Sequence, residues 1–275
     1  MNKNNQSITQ EKKQREIFNK QIQEDVGELS QINTLKLDNW MQSYLNRIFK
    51  ALTKISSTQQ TKILDIGCGA KGYIPITSAI HKKFSQSYGI EISLEACKYA
   101  KAFSQKTLTE NFPHFIQCSA HQLGFRNESF EAVTCIALLE HIVEDNEVIQ
   151  ESARVLKKNG YLYLMVPNDY KNIPFFLRWY YKKVDKKMGH LRHYNRKILK
   201  EKLEAAGFED LQFYTTGHII KMFQYFLTII YPKINTPDSK VWWYLEKLDL
   251  KRFDNDKGVS LSVLAKKNRR EQKCH

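Results

Sequence analysis

A glycine-rich turn near residue 67 carries the residue types whose spacing points most directly to ligand binding. Gly67, Gly69 and Gly72 follow the apolar run 63–66 with a G-x-G-x-x-G spacing. Glycines in such a turn let the backbone bend sharply and approach a ligand closely. Glu91 lies 22 residues after Gly69, at the end of the next apolar run. A carboxylate there can accept hydrogen bonds from both hydroxyls of a ribose, so the spacing predicts a site for a ribose-containing ligand.

Asp65 bears on which ribose-containing ligand fits this turn. A dinucleotide would place its pyrophosphate at the start of the following helix, whereas S-adenosylmethionine has a ribose but no phosphate. A carboxylate two residues before Gly67 repels a pyrophosphate and suits an ammonium group or its water shell. Asp65 therefore favours S-adenosylmethionine. The alternative is a purely structural turn with an unrelated surface glutamate.

Apolar runs alternate with helical patterns along the chain, which indicates an α/β fold with a largely parallel sheet. The runs predict strands at residues 62–67, 87–92, 115–118, 130–136, 160–166, 208–216 and 259–265. Helical spacing of apolar residues predicts helices over 41–55 with Asn39 as N-cap, over 149–156 closed by Asn159 and Gly160, and over 199–206 closed by Gly207.

Five segments of the chain, in order, resemble the motifs of the class I S-adenosylmethionine-dependent methyltransferases. They are ILDIGCGAKGY (63–73), YGIEIS (88–93), CSAHQLGFRNESFEAVTCIALLEH (118–141), ARVLKKNGYLYLMVPN (153–168) and GHLRHYNRKILKEKLEAAGFE (189–209). The last is similar to the substrate-side stretch of the branch that modifies quinones, lipids and sugars. The resemblance implies a Rossmann-like, seven-stranded, mostly parallel sheet with helices on both faces and an antiparallel last strand.

The resemblance also implies roles in binding S-adenosyl-L-methionine. Gly67 and Gly69 would line the methionine end of the cofactor, with Asp65 nearby. Glu91 would hold the ribose hydroxyls, and Ile92 would pack on the adenine.

Further cofactor contacts are implied for the loops after the third and fourth strands. Ala120 would offer its backbone to the adenine edge with His121 alongside, and Ile136 would lie beside the sulfonium. The branch usually has an acidic residue where this chain has Ser119, so the adenine amino group loses a carboxylate partner here.

Three histidines are the candidates for a base on the acceptor side. His141 follows the fourth strand and is the first candidate, because a hydroxyl acceptor must lose its proton. His190 and His193 lie in the substrate-side stretch. Some relatives with a Glu-His pair carry a further acid before it and use a metal; this chain has Ala137 there, so no metal is predicted. Fixing of a loop or packing of the segment is the alternative role for each histidine.

Most of the excess positive charge lies outside the predicted cofactor-binding part. The formal net charge is +14, of which residues 171–202 carry +9 and residues 266–275 carry +4. Aromatic residues are interleaved with the basic ones in 171–202, called here the basic segment. This pattern suits an anionic membrane interface as well as single-stranded nucleic acid. Nucleic acid is less favoured, because the Asn/Asp-Pro-Pro-aromatic motif of base-methylating enzymes is missing after the fourth strand.

The predicted organisation is a polar extension (1–30), a methyltransferase domain (31–265) and a basic tail (266–275). Within the domain, 217–257 is predicted to be a helical insertion that faces the substrate or a membrane. We expect methyl transfer to a small or lipid-linked acceptor, at oxygen. The alternatives are an RNA or protein methyltransferase and a non-catalytic binding protein of the same fold. Five cysteines without a C-x-x-C pair predict reduced thiols and a cytoplasmic location. The basic segment adds the expectation of peripheral association with an anionic membrane. No oligomeric state is predicted.

Overall fold

A seven-stranded sheet forms the centre of the domain. The computed structural model describes residues 39–54, 61–217 and 258–268, with a few isolated positions outside these ranges. The strands are β1 (Lys62–Ile66), β2 (Gln86–Glu91), β3 (His114–Gln117), β4 (Phe130–Ile136), β5 (Leu156–Pro167), β6 (Phe208–Thr216) and β7 (Ser260–Lys267). Their order is β3-β2-β1-β4-β5-β7-β6. β7 runs antiparallel to the other six strands, which are parallel to one another. The predicted fold class is confirmed.

Two hydrophobic layers flank the sheet, because successive strand residues point to opposite faces. Leu64 and Val133 face the layer that contains the helices α4 (Asp145–Val155) and α6 (Arg196–Ala205). Ile63 and Ala132 face the layer that contains α1 (Asn39–Ala51). The helices of the described part are α1 (Asn39–Ala51), α2 (Tyr73–His81), α3 (Leu94–Thr107), α4 (Asp145–Val155), α5 (Arg178–Met188) and α6 (Arg196–Ala205).

Two predicted helix boundaries differ from the structure. The helix predicted over 149–156 ends at Val155, and Leu156 already pairs with Phe130 as the first residue of β5. Asn159 and Gly160 therefore do not close a helix. Asn159 has a left-handed φ of 63° and lies where the register between β4 and β5 shifts, which is the geometry of a bulge. Asn39 is the first helical residue of α1 and not a cap outside it.

The outer parts of the predicted organisation lie largely outside the described residues. This applies to the extension (1–30), to the insertion (217–257) and to most of the basic tail (266–275). The basic segment is described throughout. It contains two short 3-10 turns, the helix α5 and most of the helix α6. Among the described helices, none is both long and apolar enough to cross a membrane.

A buried carboxylate ties the basic segment to the body of the domain. Asp145 is 2% exposed at the start of α4. Its Oδ1 lies 3.0 Å from Arg192 Nη1 and accepts a hydrogen bond of 2.9 Å from Lys202 Nζ. Its Oδ2 accepts a hydrogen bond of 2.7 Å from Tyr194. Burial on its own would raise the pKa of Asp145, but these partners outweigh it and the pKa is lowered.

We expect Asp145→Asn to destabilise the protein by about 2 kcal/mol, because it leaves two half-buried cations without their counter-charge. The folded pKa lies below the unfolded value of about 3.9, so this stabilisation is present at neutral pH and lost as the pH falls below about 4. Urea denaturation at pH 7 measures the effect. Glu147→Gln, at an exposed position of the same helix, is the control. A change below about 1 kcal/mol for Asp145→Asn would contradict the expectation.

Candidate functional site

The glycine-rich turn wraps over the carboxyl end of β2. The backbone N–H groups of Gly67 and Cys68 both donate to the carbonyl of Ile90, at 2.9 and 3.0 Å. Gly67, Gly69 and Gly72 have φ angles of 74°, 61° and 51°, a left-handed conformation that glycine adopts without strain. The turn therefore needs glycine at these positions for its backbone path alone.

One side of the turn is open at Gly69. A Cβ built on Gly69 would have no heavy atom within 4 Å. A Cβ on Gly72 would lie 2.6 Å from the ring of Phe115, and one on Gly67 would lie 3.0 Å from the side chain of Leu138. Gly72 thus permits close packing inside the protein, whereas Gly69 leaves space for something outside it.

Glu91 joins this turn to the loop that follows β2. Its side chain is buried, and Oε2 accepts a hydrogen bond of 3.2 Å from the Gly69 N–H. Oε1 accepts hydrogen bonds from the N–H groups of Ile92 at 2.6 Å and Ser93 at 3.4 Å. Burial raises the pKa of Glu91, and the three backbone donors oppose that rise without cancelling it. The carboxylate is therefore held in a fixed position between two loops.

Asp65 adds a second buried carboxyl group to the same edge of the sheet. Its Oδ1 accepts a hydrogen bond of 2.6 Å from the Thr134 hydroxyl. Burial raises its pKa to about 7, and the charge of Glu91 adds to the rise. Two carboxyl groups in one region favour a cationic ligand over a phosphate.

The remaining predicted cofactor residues lie at the carboxyl ends of neighbouring strands. Ile92 directly follows β2 and is 44% exposed. Ala120 and His121 are half-buried in the loop after β3, where the Ser119 hydroxyl lies 3.3 Å from His121 Nδ1. Ile136 is the last residue of β4 and is half-buried. All eight predicted positions therefore share one edge of the sheet, the edge where open α/β sheets bind ligands.

The short turn after β4 connects this edge to the basic segment. Leu138 packs close to Gly67, as the Cβ distance above shows. Leu139–His141 forms one 3-10 turn. The carbonyl of Glu140 accepts a hydrogen bond of 2.8 Å from the Leu191 N–H. The candidate base residues are thus attached to the same framework as the glycine turn.

Two of the three candidate histidines contact Asp185, a buried residue of α5, and the third contacts one of those two. We call Glu140, His141, Asp185, His190 and His193 the acceptor-side cluster. His190 Nδ1 lies 2.7 Å from Asp185 Oδ1, and His193 Nε2 lies 3.0 Å from Asp185 Oδ2. The rings of His141 and His190 contact edge to face with centroids 4.9 Å apart.

The contacts of Asp185 fix its charge and that of His193. Burial alone would raise the pKa of Asp185, but hydrogen bonds from His190, His193 and Tyr170 outweigh it and lower the pKa. His193 faces an acceptor at each nitrogen, since Nδ1 lies 2.6 Å from the Asn168 carbonyl. Both nitrogens must therefore carry hydrogen, and although burial opposes it, these partners raise the pKa of His193. His193 is an imidazolium held against a carboxylate.

The pKa values of Glu140 and His141 are shifted in the direction that favours the neutral form of each side chain. Burial raises the pKa of Glu140 to about 7, and its Oε2 is buried without a hydrogen-bond partner. Burial, reinforced by the neighbouring His190, lowers the pKa of His141 to about 4. Clustered ionisable groups with shifted pKa values are typical of functional sites.

Two overlapping groups in this cluster also have the composition of metal ligands. Their ligand atoms lie within 4.8 Å of one another, in the sets Glu140, His141, His190 and Asp185, His190, His193. In the second set the carboxylate already pairs with both histidines. The expectation that no metal takes part stays a prediction.

Sequence reasoning missed Asp185 and Tyr170. Tyr170 donates a hydrogen bond to Asp185 Oδ2 and stacks on His193 with ring centroids 4.1 Å apart. A signal for Asp185 was available, because it is one of two acidic residues in the basic segment. An acid placed among so many cations, five residues before His190, was a candidate partner for that histidine.

Comparison with known proteins finds a methyltransferase domain in this part of the chain. A family model of that description matches residues 64–164, which include β2 to β4 and most of β1 and β5. The ubiquinone biosynthesis O-methyltransferase of Aliivibrio fischeri (strain MJ11) is 29% identical over 150 residues, 54% of this chain and 56% of that protein. The chain thus spans about half the length of the curated relatives that it matches.

Solved structures show the same fold at lower identity. The YcgJ protein of Bacillus subtilis has a TM-score of 0.57 and 19% identity, covering 83% of this chain and 100% of that one. Phosphoethanolamine N-methyltransferase 2 of Haemonchus contortus, solved with S-adenosylhomocysteine, has a TM-score of 0.57 and 16% identity, covering 82% and 53%. Together with the strand order and the glycine turn, these likenesses show a Rossmann-like fold that contains a methyltransferase domain over residues 64–164.

Proposed function

We propose that the protein transfers a methyl group from S-adenosylmethionine to a hydroxyl oxygen of a small or lipid-linked acceptor. The observation that carries the oxygen assignment is the contact between His190 Nδ1 and Asp185 Oδ1, at 2.7 Å. A carboxylate this close to one imidazole nitrogen favours the tautomer with hydrogen on that nitrogen, which leaves the other nitrogen as an acceptor for a proton. A hydroxyl acceptor needs such a base, whereas a neutral amine can react before it loses its proton.

The residues at the glycine turn fit S-adenosylmethionine better than a dinucleotide. When bound, this cofactor supplies an activated methyl group on a sulfonium. Asp65 and Glu91 provide the negative charge that suits a cationic, phosphate-free ligand. In this proposal the open side of Gly69 accommodates the methionine end, and Glu91 binds the ribose hydroxyls. Ile92 and Ala120 contact the adenine, with His121 beside it and Ile136 near the sulfonium.

His190 replaces His141 as our first candidate for the base. His190 Nε2 would take the acceptor proton while Asp185 stabilises the resulting imidazolium. His141 has a strongly lowered pKa, which makes it a weak base. We propose that its ring forms a wall of the acceptor site against His190. His193 already carries both protons, so it positions Asp185 and does not accept a proton.

The experiment is a measurement of S-adenosylhomocysteine release with a panel of acceptors. The A. fischeri relative is named for ubiquinone biosynthesis, so catechols with and without a prenyl chain are the first hydroxyl acceptors to test. Amines, RNA and peptides complete the panel, and mass spectrometry locates the methyl group. Methylation at oxygen supports the proposal. Turnover with RNA or peptides alone supports the alternative of an RNA or protein methyltransferase. Binding of S-adenosylmethionine without any turnover supports a non-catalytic binding protein.

Two glycine substitutions separate cofactor binding from folding. Gly69→Ala should lower the affinity for S-adenosylmethionine at least about 10-fold, because its methyl group occupies the open side of the turn. Its cost in stability should stay near the 1–2 kcal/mol of left-handed strain. Gly72→Ala carries the same strain and also clashes with Phe115, so it should unfold at a lower urea concentration. Calorimetry and urea denaturation of both variants test this contrast; equal affinity for wild type and Gly69→Ala would contradict it.

A lipid-linked acceptor would require the protein to work at a membrane surface. We therefore include peripheral membrane association in the proposed function.

A further inference from the structure

Three exposed aromatic side chains, called here the apolar knob, lie just before α5 and in its first turn. Phe175, Phe176 and Trp179 are 80%, 53% and 57% exposed. Single exposed apolar residues are ordinary on protein surfaces, but a contiguous group marks an interaction site. The rings of Phe175 and Phe176 contact edge to face at 88°, with centroids 5.6 Å apart. This arrangement forms a compact apolar projection and not a set of parallel ring faces on which bases could stack.

A row of lysines continues the same face of α5. Lys183, Lys186 and Lys187 follow Trp179 by four, seven and eight residues, which places all of them on one side of a helix. All three are exposed. Within the described part of the chain no ion pair neutralises any of them. We call Phe175, Phe176, Trp179 and these three lysines the α5 docking face.

The opposite side of α5 is fixed to the domain, so the docking face has a defined direction. Asp185 points inward to His190 and His193. Leu177 is buried in a small cluster with Ile173, and Tyr181 packs against it. The outward side thus carries only apolar rings and cations, because the acid of this helix is used inside.

We infer that the α5 docking face binds the surface of a membrane that contains anionic phospholipids. Aromatic side chains settle at the depth of the headgroups, and lysines near the surface are attracted by the negative potential of such lipids. The knob supplies apolar groups for insertion, and the row of lysines supplies the matching charge. Docking would bring the acceptor-side cluster, on the inner side of the same helix, close to the headgroup layer. The inference rests on the proposed function, which includes membrane association, and names the surface that binds; vesicle binding can be measured without any methyl acceptor.

Sedimentation of the full chain with lipid vesicles tests the inference. The protein should bind vesicles of phosphatidylglycerol and phosphatidylcholine, bind phosphatidylcholine vesicles weakly, and dissociate at high salt. The triple variant Lys183→Gln, Lys186→Gln, Lys187→Gln should reduce the partition coefficient about 100-fold, since each lysine contributes about 1 kcal/mol. The matched control removes three exposed lysines of α3, at positions 98, 101 and 106, and should bind within about 5-fold of wild type. Thermal unfolding verifies that both variants fold.

The apolar knob has its own readout. Lipids brominated near the headgroup should quench part of the tryptophan fluorescence of bound protein, and Trp179→Phe should remove that part. Equal losses of binding in the α5 and α3 variants would overturn the inference, because they would show a response to net charge alone. RNA binding that depends on the three α5 lysines, without vesicle binding, would overturn it in favour of a nucleic-acid partner. Vesicle binding with no turnover on any acceptor would retain the docking face and reject the proposed function.

Discussion

Glu91→Gln should weaken the binding of S-adenosylmethionine by at least about 100-fold. The carboxylate would accept hydrogen bonds from two ribose hydroxyls, and hydrogen bonds to a charged group contribute about 1.5–3 kcal/mol each. An amide keeps one acceptor oxygen and places an N–H₂ group against backbone donors that the carboxylate now binds, including the Gly69 N–H. The loss therefore combines weaker contacts to the ligand with a less ordered glycine turn. Isothermal titration calorimetry measures the affinity.

Glu95→Gln is the control for this experiment, because Glu95 lies four residues further along and its side chain is 67% exposed. It should bind as wild type does. The pKa of Glu91 is raised by burial, so the affinity of the wild-type protein should fall in acid as the carboxylate is protonated. Glu91→Gln should lose the part of that decline that Glu91 contributes and keep the part from Asp65, whose pKa is raised to about 7. An affinity within about 3-fold of wild type for Glu91→Gln would rule out the proposed ribose contact.

His190→Ala should lower kcat by about 100- to 10,000-fold, the usual contribution of a positioned general base. The affinity for S-adenosylmethionine should not change, because His190 lies on the acceptor side. Asp185→Asn should lower kcat by about 100-fold, since the residue no longer fixes the tautomer of His190 or stabilises its charged form.

Cofactor binding separates a positioning role of Asp185 from a purely structural one. A structural role would lower the amount of folded protein that binds S-adenosylmethionine, whereas a positioning role would lower kcat without changing that amount. His114→Ala, at an exposed position of β3, controls for the loss of a histidine. A kcat within about 5-fold of wild type for His190→Ala would remove His190 as the base. A large loss for His141→Ala in the same assay would then restore the first candidate suggested by the sequence.

The donor side of this protein is predictable from sequence because its geometry is local. Gly67, Gly69 and Glu91 belong to two strand ends that pair directly, and the motif fixes their separation. Glycines suited to a left-handed turn and a carboxylate at a strand end can both be recognised from residue types alone. The antiparallel direction of the last strand followed from the resemblance, since no periodicity determines which way a strand runs beside its neighbours.

The acceptor side could not be assembled from sequence because it depends on tertiary contacts. His141 lies 49 residues before His190, and the two are brought together where Leu191 donates a hydrogen bond to the turn that contains Glu140. The role of His193 also depended on its surroundings: only the structure shows acceptors at both of its nitrogens. The boundary error at Leu156 has a similar origin, because a bulge at Asn159 and a helix end use the same residue types.

The position of β7 has a consequence for how this chain folds as it is synthesised. Leu162 of β5 pairs with Ala265 of β7, 103 residues later, and β7 also separates β5 from β6. The half of the sheet that carries the glycine turn, β3-β2-β1-β4, can be complete once residue 136 has left the ribosome. β5 and β6 then each present an unpaired edge until residue 267 emerges, and open edges are sites of wrong association. The nascent chain therefore carries open edges on both β5 and β6 throughout the interval in which the residues between β6 and β7 are made.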